Sequence, residues 1–209
     1  MTRPAGFRGA FFGDAADGNG RDDLESRRRI SKVLGISSAW ASVHQIHGIT
    51  VISVDRPGPA GEGDGLITTR ARLPLAIATA DCVPIVIEGD ISVAVLHAGW
   101  RGVAAGIIRA GVDAMIGLGD TPRRAAIGPS IGPCCYEVGD EVPEAIGGYA
   151  SATTWGTLSV DLRSAAETQL AGLSVWRSNA CTYTDPGLWS YRRDSTKDRQ
   201  VAVAWVPQR

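Results

Sequence analysis

The sequence predicts a mixed α/β or α+β fold. Three short apolar runs rich in β-branched residues follow closely between Leu73 and Trp100, each too short for a helix. A Gly89-Asp90 turn joins the last two as a hairpin, and segments with apolar residues at helical spacing stand on either side. Helices alternating with hairpin-linked strands indicate a mixed sheet rather than a purely parallel one.

Along the chain, Leu24 to Leu34 carries charges with apolar positions near helical spacing and predicts a helix, whereas Thr50 to Val54 alternates as a short strand. The Gly- and Pro-rich stretch from Pro57 to Asp64 predicts a loop. The runs LAIATAD, VPIVIEG and ISVAVLHAG form the expected sheet core, followed by a turn at Gly99-Trp100-Arg101-Gly102 and a helix from Gly102 to Leu118. Ala125 to Ile127 is an expected strand that runs into the loop GPSIGPCCYEVGDEV, and Ser164 to Leu173 an expected helix. Strands are expected at Ser174 to Arg177 and Val201 to Val206.

The 209 residues suit one domain, 1–209, and no internal repeat suggests a solenoid or propeller. A formal net charge of -1 leaves no global field to hold a nucleic-acid backbone or an anionic membrane, so a small, locally recognised partner is expected. The N-terminus lacks an apolar export core, and no segment offers the roughly 18 apolar residues of a membrane span. The expectation is a soluble, cytoplasmic protein, a monomer or weak homo-oligomer. In that compartment Cys82, Cys134, Cys135 and Cys181 are expected as thiols, with the adjacent Cys134 and Cys135 partly buried.

The chain has only three histidines, His44, His47 and His97. His47 and His97 sit in the Gly-flanked contexts QIHG and LHAGWRG, and Cys82 follows Asp81 at the end of a predicted strand. Two imidazoles and a thiolate suit zinc with a fourth position open. Their wide spacing leaves three readings: a metal site, structural histidines with a buried cysteine, or a Cys-His nucleophilic pair. His44 reads as an ordinary exposed histidine.

Four ordered blocks carry a resemblance: Gln45-Ile46-His47-Gly48, Thr79-Ala80-Asp81-Cys82-Val83-Pro84, His97-Ala98-Gly99-Trp100-Arg101-Gly102, and IGPSIGPCCYEVGDEV from Ile127 to Val142. They resemble the signature blocks of the YfiH-like, or laccase-domain, family. Cys181-Thr182, Ser190 to Asp194 and Arg199-Gln200 resemble its closing motifs, whereas the first forty residues match it less well. The resemblance implies a four-layer α/β/β/α sandwich of the toxin-type cysteine hydrolase kind. It also implies a metal held by His47, Cys82 and His97, zinc by preference with copper as the other option.

The activities implied by the resemblance are phosphorolysis of adenosine, inosine, guanosine and methylthioadenosine with adenosine deamination, or polyphenol oxidation. A multicopper oxidase is excluded, because its blue-copper and trinuclear centres need more imidazoles than three histidines supply. A single-copper polyphenol oxidase stays open, although its soft axial ligand would have to be Met1 or Met115. A peptidoglycan-precursor editing hydrolase and a non-catalytic metal-binding partner also stay open.

For nucleoside chemistry the expected catalytic residues are Cys82, His47, His97, Asp81 and Arg101. The expected substrate-binding residues are Gln45, Asp64, Arg101, Cys134, Tyr136 and Arg192. Arg101, Arg192 and Arg193 are candidates for phosphate, each with a solvated or salt-bridged arginine as the plain alternative. Trp100 is expected in the core or pocket wall. Asp81 is a candidate proton shuttle or orienter of a ligand, and Asp64 either a pocket residue or a turn cap.

Overall fold

The computed structural model describes residues 2–208. The first elements are β1 (Ala10–Phe12), α1 (Leu24–Leu34), β2 (Ala41–His44), β3 (Val51–Ser53), β4 (Gly58–Glu62), β5 (Gly65–Thr68), β6 (Leu75–Thr79), β7 (Val83–Gly89) and β8 (Val93–Ala98). Then come α2 (Trp100–Ala105), α3 (Ile107–Gly117), β9 (Pro122–Ile127), α4 (Glu141–Ala145), β10 (Ala150–Ala152) and β11 (Leu158–Val160). The chain continues through α5 (Leu162–Gln169), β12 (Ser174–Arg177), α6 (Tyr191–Asp194) and β13 (Gln200–Ala204). One sheet runs β1-β13-β6-β2-β4, a second runs β12-β9-β7-β8-β5-β3, and β10 and β11 form a separate pair.

Strand alternation builds the layers. In β13, Val201 and Val203 face α1 with Ile30 and Leu34, whereas Ala202 and Ala204 face the other sheet. In β8, Val93 and Val95 join that inter-sheet core, while Ala94, Leu96 and Ala98 face α2, α3 and α5. The result is helix, sheet, sheet, helix. Alanines at Ala10, Ala126, Ala202 and Ala204 line the inter-sheet layer, whereas Ile85, Ile87, Ile107 and Ile108 fill the outer one. Burying each such side chain stabilises the fold by about 1.5–3 kcal/mol.

Helix α1 has the predicted bounds because Asp23 caps its N-terminus and Gly35 takes the left-handed conformation at its end. Four expectations are corrected. The predicted loop at Pro57 to Asp64 contains β4, an edge strand where Pro59 and the glycines are tolerated. The predicted helix from Gly102 to Leu118 is two helices, broken where Gly106 adopts a φ of 98°. The turn expected at Gly99 to Gly102 is already helical from Trp100. The three apolar runs do not share a sheet: β6 lies in the first, β7 and β8 in the second. The chain crosses between sheets at Asp81-Cys82. Among the described residues no helix is long and apolar enough to cross a membrane.

Candidate metal centre

The crossover puts Cys82 between the sheets' ends, and the β7–β8 pairing brings His97 beside it, with Pro84 opposite His97 and Val83 opposite Ala98. His47 enters from the turn after β2. The ligand atoms of His47, Cys82 and His97 all lie within 4.8 Å of one another, with Cys82 Sγ 3.9 Å from His47 Nε2. The two imidazoles meet edge to face at a centroid distance of 4.8 Å. Three donors so spaced suit one ion with ligand bonds of about 2.0 Å to nitrogen and about 2.3 Å to sulfur.

Asp64 organises this trio from behind. It is 0% exposed. Its carboxylate accepts from the backbone N–H of His47 at 2.9 Å, Gly48 at 2.6 Å and Ile46 at 3.3 Å, and from His97 Nδ1 at 2.7 Å. Because a carboxylate only accepts, His97 carries a proton on Nδ1 and keeps Nε2 for the centre, the usual arrangement behind a metal-bound imidazole. The same bonds hold His47 at a φ of 61°, a left-handed conformation that costs about 1–3 kcal/mol for such a residue. Asp64 therefore caps a turn and orients the His97 imidazole at once.

The electrostatics follow. Burial pushes the Asp64 carboxyl up, but the His97 hydrogen bond and the Gly48 and His47 amides outweigh it and hold the group below the usual carboxylate range. Burial also opposes ionisation of Cys82, yet the adjacent His97 and His47 imidazoles bring the thiol down to about 6. His97 is raised to about 9: burial works against its charge, and the Cys82 thiolate and Asp64 outweigh that. The chemistry of the set, a thiolate and two imidazoles with a carboxylate behind one of them, fits a divalent transition metal.

Gly99 makes the approach possible. A Cβ there would fall 2.8 Å from His47 Cδ2 and 3.3 Å from Cys82 Sγ. No larger residue fits without displacing His47 or Cys82, a role visible in advance only as one glycine of HAGWRG.

The centre opens onto a cleft of about 920 Å³, lined by Gln45, Asp81, Trp100, Arg101, Tyr136 and Arg192 among others. Arg101 is exposed, its guanidinium 4.3 Å from the Trp100 ring centroid, and among the described residues no carboxylate pairs with it. Trp100 is half-buried against the outer core and also walls the cleft. Arg192 stacks over the Tyr136 ring and donates to the Glu137 carbonyl at 2.6 Å. Burial, the Cys82 thiolate and Asp81 raise the Tyr136 hydroxyl to about 12, so it is a neutral donor.

Several expected residues are placed by other contacts. Gln45 donates to the Ala78 carbonyl at 2.8 Å and accepts from the Ala78 N–H at 2.9 Å, pinning the His47 turn to the end of β6. Asp81 accepts from the Thr182 hydroxyl at 2.6 Å and the Arg192 N–H at 2.7 Å, so both oxygens tie down the C-terminal segment. Arg193 spends its guanidinium on the carbonyls of Thr182, Tyr183, Asp185 and Leu188 and on Asp194. Cys134 does not line the cleft; its sulfur turns to Cys135 and Cys181. His44 is exposed on the cleft rim.

A purine nucleoside phosphorylase of Streptomyces griseus is 37% identical over 199 residues, covering 87% of this chain and 80% of its own length. One of Deinococcus radiodurans is 34% identical, covering 97% and 84%. Among solved structures, YlmD from Geobacillus stearothermophilus superposes with a TM-score of 0.87 at 28% identity, covering 100% of this chain and 98% of that one. The YfiH protein of Bacillus licheniformis gives a TM-score of 0.81 at 28% identity, covering 90% and 82%. With its family model matched over residues 12–207, this YfiH-like chain belongs to the family described as multi-copper polyphenol oxidoreductase laccase.

Proposed function

We propose that the chain is a zinc-dependent purine nucleoside phosphorylase that also deaminates adenosine in the same cleft. The observation that carries the reading is the convergence of His47, Cys82 and His97 within 4.8 Å at the wall of the cleft. The names of the relatives support the substrate class. His47, Cys82 and His97 would hold zinc, and bound zinc would supply Lewis-acid charge next to the substrate.

The remaining steps belong to side chains. Phosphorolysis needs a site for a phosphate dianion beside an apolar slot for the purine. Arg101, which has no carboxylate partner among the described residues, offers a fork for two phosphate oxygens. Trp100 and Tyr136 supply flat walls for the base, and Arg192 lines the same cleft. Phosphate attacks the sugar carbon as the purine leaves with the glycosidic bond pair. Deamination instead requires water at the purine amino carbon, hence a second pose of the same nucleoside.

The family description names polyphenol oxidation by a multi-copper enzyme, and with three histidines in the chain the second reading narrows to a single-copper polyphenol oxidase. Two imidazoles and a thiolate also suit copper. Met115, however, is fully buried in the outer core by the Gly89 turn, at the opposite end of the β7–β8 hairpin, and Met1 lies outside the described residues.

The test is metal analysis of protein prepared without added copper, then turnover of inosine, adenosine and methylthioadenosine with and without phosphate. Nucleobase release that requires both zinc and phosphate is expected. Phosphate-independent release, or oxygen uptake with phenols in place of nucleoside turnover, would overturn the reading.

A further inference from the structure

A second group of donors lies outside the cleft, where the 131–136 loop meets Cys181. The sulfurs of Cys134, Cys135 and Cys181 all lie within 4.8 Å of one another. Cys134 Sγ is 2.9 Å from Cys135 Sγ and 3.6 Å from Cys181 Sγ. The Gly132 N–H donates to Cys181 Sγ at 3.1 Å, and Ile131, Tyr136 and Tyr183 pack around the sulfurs.

Beside them sits a buried cation. Arg163 is 6% exposed, gives one terminal nitrogen to the Ser178 and Ala180 carbonyls, and leaves its Nε without a hydrogen-bond partner. Among the described residues no carboxylate forms an ion pair with it. A Cβ on Gly132 would fall 2.8 Å from Arg163 Nη2, 3.4 Å from Cys134 Sγ and 3.5 Å from Cys181 Cβ, so guanidinium and thiols share one small space. A buried guanidinium is costly unless negative charge stands near it, and the groups near Arg163 that carry or can carry such charge are Asp161, Cys181 and Cys134.

We propose that Cys134, Cys135 and Cys181 form a second metal site, separate from the His47, Cys82 and His97 centre, that takes a thiophilic monovalent cation of the copper(I) class. All-sulfur donors select soft cations. The set offers three sulfurs with no imidazole or carboxylate in the group, whereas structural zinc sites almost always take four ligands. N–H bonds to sulfur, as from Gly132, tune metal thiolates. On binding, each thiol among the three releases its proton to solvent; three thiolates and one cation leave two negative charges, and Arg163 offsets one.

A neighbouring hollow of about 680 Å³, lined in part by Cys135, Trp155 and Tyr183, is the way in. Occupancy would brace the loop carrying Tyr136 against Cys181, whose neighbour Thr182 holds Asp81 next to Cys82.

The test uses the reduced 209-residue chain carrying Cys82→Ala, which disables the first centre. Copper(I) is supplied without oxygen against a competing copper(I) chelator, and retained copper is measured together with copper-edge X-ray absorption. The expected result is one copper per chain in a sulfur-only shell, falling to none when Cys134→Ser or Cys181→Ser is added. Circular dichroism verifies folding, and the half-buried Cys134 variant serves if Cys181→Ser unfolds. No retained copper, a shell containing nitrogen, or copper unchanged in a folded serine variant would overturn the proposal. A Cys134–Cys181 cross-link formed with a small disulfide reagent, without copper retention, would make the group a redox pair instead.

Discussion

Both ends of the β7–β8 hairpin are held by a buried carboxylate that collects backbone amides. At the turn, Asp120 accepts from the N–H groups of Asp90, Ile91, Ser92 and Thr121 and from the Ser92 hydroxyl. At the open end, Asp64 accepts from Ile46, His47 and Gly48 in the same manner. The difference is the side-chain partner, the Ser92 hydroxyl at Asp120 and the imidazole of His97 at Asp64. A buried carboxylate over a turn is thus a structural device, and at Asp64 the bond to His97 ties that device to the proposed centre. The amide-rich loop over Asp120 reads no differently from the one over Asp64 until His97 is placed.

The comparison predicts that equivalent substitutions diverge. Asp64→Asn puts an N–H₂ where His97 Nδ1 and three amides need an acceptor; bound zinc and nucleoside turnover should fall by roughly 10–100-fold. Turnover and zinc content within twofold of the parent would break the proposed link between Asp64 and the centre.

Asp120→Asn should leave zinc binding and turnover intact while lowering stability by about 1–3 kcal/mol, read from the denaturant midpoint. Burial pushes the Asp120 carboxyl up, but the Ser92 hydroxyl and the amides of Ile91, Thr121 and Ser92 outweigh it and hold the group low. A depressed folded-state value means that its contribution is complete above the ordinary 3.8 and is lost as pH falls through the lower folded value. The stability gap between parent and variant should therefore be constant near neutrality and close only in strong acid. A gap that closes between pH 7 and 5 would assign the effect to another group.

Arg101→Lys is the smallest change expected. Loss of the two-pronged donor should raise the KM for phosphate roughly tenfold, about 1.4 kcal/mol, with zinc content unchanged. Equal losses in phosphorolysis and deamination would make Arg101 a shared substrate residue rather than a phosphate contact.

Much of the architecture was legible because local signals agreed with it. Helix α1 carries its own caps, Asp23 and Gly35, and β7 and β8 are apolar on both faces because each packs between layers. The break at Gly106 was not, since Val103, Ile107 and Ile108 keep helical spacing across it. Strand β4 was hidden because an edge strand needs few apolar residues. At the centre, chemistry alone left His47, Cys82 and His97 open among three readings, and the motif resemblance singled them out. The dual role of Asp64, the backbone mimicry of Gln45 and the close approach at Gly99 depend on contacts 16 to 52 residues away in the chain, which no local pattern records. Cys181 joins Cys134 across 47 residues by the same kind of long-range closure.

The most direct check on the account is zinc-edge X-ray absorption of the zinc-loaded parent chain. A shell of two nitrogens at about 2.0 Å and one sulfur at about 2.3 Å, with one further light atom, is the predicted result. A shell dominated by sulfur would put zinc on Cys134, Cys135 and Cys181 instead, and would contradict the assignment of the catalytic centre to His47, Cys82 and His97.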